Sequence, residues 1–351
     1  MAMATMYKTI LITILVTLSA CSKITDSTSY SAPNFPNSSI ANVRILNDQI
    51  LLNRPWNMWI IDSVVILNTQ NVDNMKQFQC FSVNNGTLIN SFGYIGRGDN
   101  ELVDYNRCSI NPNEKKLCAI DKTGKKLEVD LQTISDGVQP IMKASKMAGM
   151  PSALHLCQLK DKILFMGHIN PRLAITNLSG TDTLSSYNDF PHITTEIDND
   201  TSAKAYYYFQ SSSYALNHNR SKLCHTTRNG MILEIFEINH MNNITLKKTR
   251  YFYPTKMKNM IKAADDCVKG FIQTRATDKY IYALYDDTER KEQGTFPKLG
   301  VFNWNGEEIW QYQLDAKVLD FAIAEDDSYA CCWAQNLDGE EYLGYFDLKW
   351  I

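Results

Sequence analysis

Tight-turn residues recur along this chain in two interleaved series. One runs Gly86, Gly137, Gly180, Asn243 and Gly306, each just after a run of the "FSVNNGTLINSF" kind, with a mean spacing of about 55 residues. The other runs from near Asn71 through Gly124, Asn170, Gly230 and the neighbourhood of Glu289 to Gly339, at about 54. Gly and Asn supply the positive φ that two-residue hairpins require. Between the turns lie short alternating runs such as "FQCFSV", "ILFMGHI", "LEIFEI" and "YIYALY", with almost no long helical pattern. Two turn series with one period and a fixed offset describe a four-stranded meander, repeated. A period of this size belongs to the blades of a β-propeller. The expected fold is therefore all-β, a six-bladed β-propeller over residues 41–351.

The last repeat is incomplete. Residues 316–351 supply "VLDFAIA", "YACCWAQ" and "YLGYFDL" and then the chain stops. The missing outer strand is available in "NVRIL" (Asn42–Leu46) or "DQILLN" (Asp48–Asn53). Closing the ring by pairing the N- and C-terminal strands in one blade removes sheet edges that otherwise invite aggregation. One interruption, "TKMKNMIKAADDC" (Thr255–Cys267), is expected as a short helical insertion. A β-sandwich would account for only about a third of this length. No linker composition divides residues 50–351 into several such units, so one ring is the simpler reading.

The N-terminus carries a different signal. "MYKTILITILVTLSAC" has a basic entrance at Lys8, an apolar run from Ile10 to Leu18, and small residues at Ser19 and Ala20 before Cys21. The run is too short to span a bilayer as a helix but suits a signal-peptide core. The Leu18-Ser19-Ala20-Cys21 sequence resembles the lipobox of bacterial lipoproteins. By that resemblance residues 1–20 are a signal peptide and Cys21 is the lipidated N-terminus of the mature protein; the initiator is Met1 or, with a more usual leader, Met6. Each buried methylene of an acyl chain contributes about 0.8 kcal/mol, so two or three chains anchor firmly. The following "SKITDSTSYSAPNFPNSS" is polar and Pro-containing, and residues 21–40 are expected as a flexible tether. Ser22 lacks the Asp that favours inner-membrane retention, which points to the outer membrane, with the periplasmic or surface face open.

Charge argues against nucleic acid. The chain has 35 Lys and Arg against 38 Asp and Glu, a net charge of −3, with no basic face to replace counterions. The Lys256, Lys258 and Lys262 cluster reads as a solvated face. Beyond Cys21, eight cysteines remain, without a CxxC pair or zinc spacing, mostly inside apolar runs where a thiol acts as a small hydrophobe. Adjacent Cys331 and Cys332 on one strand must point to opposite faces.

The stretch "GYIGRGDNEL" (Gly93–Leu102) spaces glycines as G-x-G. A dinucleotide fingerprint needs a third glycine where Glu101 stands, and a helix where "LVDYNRCSINP" follows, so a blade-to-blade corner is the better reading. Here the chain resembles the TolB-like six-bladed β-propeller lipoproteins of Gram-negative, Bacteroidales-type bacteria. The resemblance rests on "CFSVNNGTLINSFGYIGRGDNEL", with Gly93, Gly96, Arg97, Gly98 and Glu101 in the pattern and Asp99 where Pro is common. "DKYIYALYDD", "LGVFNWNGEEIWQYQLD" and "DFAIAEDDSYACCWA" resemble the family's last two blades. The family brings no established catalytic residues, so no catalytic residue, cofactor or metal ligand is assigned.

Binding candidates are few. Arg97 and Glu101 either rim the channel mouth and orient an anionic or sugar ligand, or serve the turn itself, with Glu101 accepting backbone N–H groups; the second is favoured. Within "YYYFQSSSY", Tyr206 is a candidate for stacking on a sugar ring. The Asp265-Asp266, Asp286-Asp287 and Asp326-Asp327 pairs read as solvated turns, and the six histidines, among them His168 and His225, lack metal-motif spacing. The expected function is a lipid-anchored envelope module that binds a protein or glycan partner. The alternative is a propeller enzyme, such as a metal-dependent lactonase or a polysaccharide lyase.

Overall fold

The structure, a computed structural model, describes residues 29–50, 55–69, 76–149, 153–167, 171–192, 212–259, 262–292 and 296–348. Six antiparallel sheets stand in a ring, each a meander whose strands are labelled A to D from the centre outward. Blade one comprises Asn57–Ile61, Val64–Asn68, Phe78–Ser82 and Leu88–Phe92; blade two comprises Cys108–Asn111, Lys116–Ile120, Lys125–Asp130 and Ile141–Lys146. Blade three is His155–Leu159, Lys162–Met166, Leu173–Asn177 and Thr183–Tyr187. Blade four is Ser212–Leu216, Lys222–Thr227, Ile232–Ile238 and Ile244–Tyr251. Blade five is Phe271–Ala276, Tyr280–Tyr285, Lys298–Asn303 and Glu308–Leu314. Blade six takes Lys317–Ile323, Tyr329–Gln335 and Glu341–Asp347 from the C-terminus.

The D strand of blade six is Arg44–Asn47, antiparallel to Glu341–Asp347, with Arg44 opposite Tyr345 and Ile45 opposite Gly344. The first of the two expected segments thus closes the ring. Of the second, Asp48–Ile50 form no strand and Leu51–Asn53 lie outside the described residues. A further strand, Ser38–Ala41, lies parallel to Glu308–Leu314 and gives blade five a fifth strand, which the turn periodicity does not announce. Upstream, Ser31 N donates to Tyr251 O at 3.2 Å, and the Phe35 ring sits 5.2 Å from that of Phe302. The polar segment expected as a tether over residues 21–40 is therefore laid along the ring from Ser29 on; Cys21 and the rest of residues 1–28 lie outside the described residues.

Packing explains why the strands read as apolar runs. Every blade is covered on both faces by its neighbours, so Val64–Asn68 is buried throughout. The outer strands carry exposed polar positions, as in the Lys-bearing Ile141–Lys146. Each of the six seams has its own apolar cluster. The seam between blades six and one joins Met58, Val65, Phe81, Cys331 and Trp333, and that between five and six joins Tyr282, Val301, Phe321, Cys332 and Phe346. Adjacent Cys331 and Cys332 thus serve opposite seams. All eight cysteines described are buried and free, and burial pushes Cys118, Cys224 and Cys331 up to about 12, so they act as hydrophobes at neutral pH.

The turn series map onto two faces of the ring. Gly86, Gly137, Gly180, Asn242-Asn243 and Gly306 lie in C–D turns, on the same face as the A–B turns; Gly124, Gly230 and Gly339 lie in B–C turns on the other. Several turns share one device. An Asn or Asp accepts backbone N–H groups two and four residues on, and the residue three on takes positive φ. Asn303 Oδ1 accepts from Asn305 N at 2.9 Å and Glu307 N at 3.0 Å, and Gly306 has φ of 77°. Asp121 with Gly124 and Asn336 with Gly339 repeat it.

The expected short helix at Thr255–Cys267 is not formed. Met257–Asn259 and Lys262–Ala263 pair antiparallel instead. Charge order explains the outcome. Lys256 and Lys258 would stand at the positive end of a helix dipole and Asp265 and Asp266 at the negative end, both unfavourable. Folding back brings Lys256 to 2.7 Å from Asp266 and Lys258 to 3.8 Å from Asp265. Ala263 and Cys267 then pack on Ile232.

Candidate functional site: a cavity closed by six inner strands

The A strands of all six blades surround one central cavity of about 160 Å³. It reaches the face of the A–B turns, where Pro112, His218 and Arg220 border it. Part of the wall is apolar, with Met58, Ile110, Leu156, Ala215 and Ile323, and Trp59 adds an aromatic surface. The polar wall consists of Asn57, Asn106, Ser109, His155, Tyr214, His218, Arg220, Thr274 and Arg275, and no carboxylate lines it among the described residues. This composition makes the cavity a donor-rich chamber of neutral-to-positive charge.

Arg275 is already matched. Its Nη2 donates to Asp320 Oδ1 at 2.9 Å, and its Nη1 to Thr274 O at 3.0 Å; Asp320 is buried. Arg220 is not: its Nη1 donates to Cys157 Sγ and its Nη2 to Ile110 O, reaching from blade four to blades three and two. His218 at the same rim is pushed down by burial, partly offset by Asp278 and Glu325.

One flank of the cavity leads into a polar row, half-buried at His155 and Tyr214 and fully buried beyond them. His155 of blade three lies 5.6 Å, ring to ring, from Tyr214 of blade four, which lies 4.5 Å from His225. Tyr214, His225 and Glu234 are cross-strand neighbours in blade four, so one face of that sheet presents all three. His225 Nδ1 and Glu234 Oε2 are 2.8 Å apart, and Arg172, entering from blade three, pairs with both Glu234 oxygens. Arg172 Nη1 also donates to Asp189 O at 2.7 Å, and its guanidinium lies 5.3 Å from the Phe190 ring. Arg172, His225 and Glu234 are all within 1% of complete burial. Burial pushes the Glu234 carboxyl up, but the Arg172 charge and hydrogen bonds overcome it and hold the group at about 2. Burial and the Arg172 charge push His225 down to about 4, and burial with His225 nearby does the same for His155. At neutral pH the row is one ion pair flanked by two neutral imidazoles.

The sequence candidates sit elsewhere. Arg97 and Glu101 occupy the corner between blades one and two, on the face opposite the A–B turns. Glu101 Oε2 accepts Gly98 N at 2.8 Å, and a Cβ on Gly96 would lie 2.0 Å from that oxygen. Glu101 therefore serves the corner, and Gly96 is glycine so that the carboxylate can fold over it. Arg97 is exposed and has no ion pair among the described residues. Neither residue lines the cavity. Tyr206 and His168 lie outside the described residues.

Two of the three acidic pairs are more engaged than solvated turns, whereas Asp265 and Asp266 are exposed. Asp286 lies 3.2 Å from Lys269, Asp287 lies 2.9 Å from Lys298, and Asp327 accepts the Tyr282 hydroxyl at 2.9 Å. No three His, Cys, Asp or Glu side chains converge as a metal site among the described residues. The cavity-lining arginines escape sequence reading because nothing in their local patterns separates them from the other basic residues of their repeats. The positive-φ position at Arg220 recurs at Asp62, Lys115 and Asp327, and only alignment of the four A–B turns signals it.

The chain belongs to the TolB-like six-bladed propeller family: the family model, described as TolB-like 6-blade propeller-like, matches residues 34–326. Six-bladed propellers commonly serve as binding or scaffold modules. Among solved structures, the chain is similar to a DUF4221-family member from Bacteroides vulgatus, at 11% identity and a TM-score of 0.54, covering 89% of this chain and 96% of that one. It is also similar to the RRP9 WD40 repeats, at 8% identity and a TM-score of 0.47, covering 92% and 99%. No curated protein matches the sequence. At these identities the structural likeness concerns the fold.

Proposed function

We propose that this chain is a lipid-anchored propeller of the bacterial envelope that binds a protein or glycan partner. The observation that carries the binding reading is the central cavity, built by all six inner strands from donors, an aromatic surface and no carboxylate. A lactonase-like site would gather carboxylates around an ion, and none lines this wall among the described residues. The anchor is Cys21, with the outer membrane as its destination. Only eight Cα–Cα steps separate Cys21 from Ser29, where the chain meets the ring. Fully extended, they reach at most about 28 Å, so the ring is held close to the bilayer.

Two measurements on the full-length chain in a lipoprotein-processing Gram-negative host test this reading. Labelled palmitate should enter the wild type and not Cys21→Ser, which should also leave the outer-membrane fraction; unchanged labelling or fractionation of the variant removes the anchor. Saturable retention of one glycan class or one cross-linked envelope protein supports the binding role. Turnover of lactones or polyuronates without saturable retention replaces it with the enzyme reading.

A further inference from the structure

We infer that the central cavity binds a small organic molecule with a single carboxylate, about the size of one sugar acid, and that Arg220 is its principal donor. The assignment rests on the binding reading above and names the ligand class of the same site. Its first support is charge balance. Of the two arginines in the wall, Arg275 is neutralised by Asp320, whereas Arg220 has no ion pair among the described residues. A guanidinium without an ion-pair partner, at a rim where Asp278 and Glu325 act on neighbouring His218, matches one negative charge. A carboxylate fits that balance better than a phosphate, which carries about −1.5 to −2.

The second support is hydrogen bonding. Arg220 Nε and Arg275 Nε are each buried without an acceptor among the described residues. Both Nε atoms are closed off from solvent, so an anion in the cavity is met by the remaining Nη–H groups of the guanidinium, of which Arg220 commits one on each nitrogen. Backbone geometry adds a third. Arg220 sits in the left-handed region at φ of 61°, in line with Asp62, Lys115 and Asp327 in the corresponding turns. Of these four only Arg220 lines the cavity; Lys115 and Asp62 pair with each other at 2.7 Å. The left-handed position belongs to the turn itself, and in blade four its occupant is a guanidinium that lines the channel.

The remainder of the wall asks for an organic body. Trp59 offers a face for a sugar ring, and Asn57, Asn106 and Ser109 offer partners for hydroxyls. The volume is well above the roughly 10–15 Å³ that one water requires.

Calorimetric titration of the detergent-solubilised full chain tests the assignment, with D-glucuronate, its methyl ester, D-glucose and inorganic phosphate as probes. Glucuronate should bind saturably and at least tenfold more tightly than the other three. Arg220→Gln should weaken it at least tenfold, and Arg220→Lys, which keeps the charge and loses the fork, should fall between. If Arg220→Gln fails to fold, Ala276→Leu, which narrows the wall without touching Arg220, should abolish binding. Glucose or phosphate binding as tightly as glucuronate overturns the assignment, as does unchanged glucuronate affinity in either Arg220→Gln or Ala276→Leu. Loss of the carboxylate preference while the envelope partner is still retained sinks this inference alone; loss of both sinks the binding reading as well.

Discussion

Glu234 is the residue on which the polar row depends. Among the described residues its carboxylate is the acid that pairs with Arg172, and it also meets His225. A buried ion pair adds little over an apolar replacement, but removing one partner leaves the other charge stranded. Glu234→Ala should therefore lower unfolding free energy by about 3–5 kcal/mol, read by urea denaturation, and a loss under 1 kcal/mol would show that Arg172 finds another partner. The two imidazoles set the pH response. Unfolded, each takes up a proton near 6.5; folded, only near 4. Between those values the unfolded chain binds more protons, so stability is highest above pH 6.5 and falls as pH drops towards 4. Glu234, held at about 2 against an ordinary 4.5, adds a further loss below 4.5. The melting temperature should decline from pH 7 to 4.5, before most carboxylates titrate, and less so in His225→Asn. A flat profile over that range would mean that the row is open to water. None of this row is legible in the sequence. His225 and Glu234 are nine residues apart in an alternating run, and Arg172 comes from another blade; only register and seam bring the three together.

At the scale of elements, the N-terminal segment does more than supply the missing strand. Tyr30 bridges Tyr251 of blade four, Phe35 and Ser38–Ala41 cover blade five, Arg44–Asn47 completes blade six, and Asn47 Nδ2 donates to Gly86 O of blade one at 2.7 Å. Gly300 and Gly86 leave the space this requires: a Cβ would meet Phe35 Cζ at 2.6 Å and Leu46 O at 2.1 Å. One strap thus joins four consecutive blades and hides two sheet edges. Deleting residues 22–47 while keeping the leader and Cys21 should expose the outer edges of blades five and six and yield a chain that aggregates or unfolds in more than one step. A single cooperative transition at the wild-type temperature would show the strap to be dispensable. Closure by the N-terminal strand was readable because the last repeat is one strand short. The parallel strand Ser38–Ala41 was not, since "SSIA" carries no strong pattern and its partner edge is set only by the crossing from blade to blade. The hairpin at Met257–Ala263 escaped for a related reason. Its apolar spacing suits either period, and the decisive factor, Lys before Asp along the chain, acts through pairing rather than composition.

For the whole molecule, the sequence by itself determined the ring: the turn period, the blade count, the closure and the burial of the cysteines all follow from local chemistry repeated at fixed intervals. A turn needs its Asn, Asp or Gly wherever it lies, and a strand covered on both faces must be apolar, so both leave marks in the chain. The tertiary structure alone decided what the ring encloses. Arg220, Arg275, His155 and Trp59 come from four different blades, and no spacing in the chain encodes their meeting, because convergence on the axis depends on the radial arrangement of the blades rather than on any neighbour in sequence.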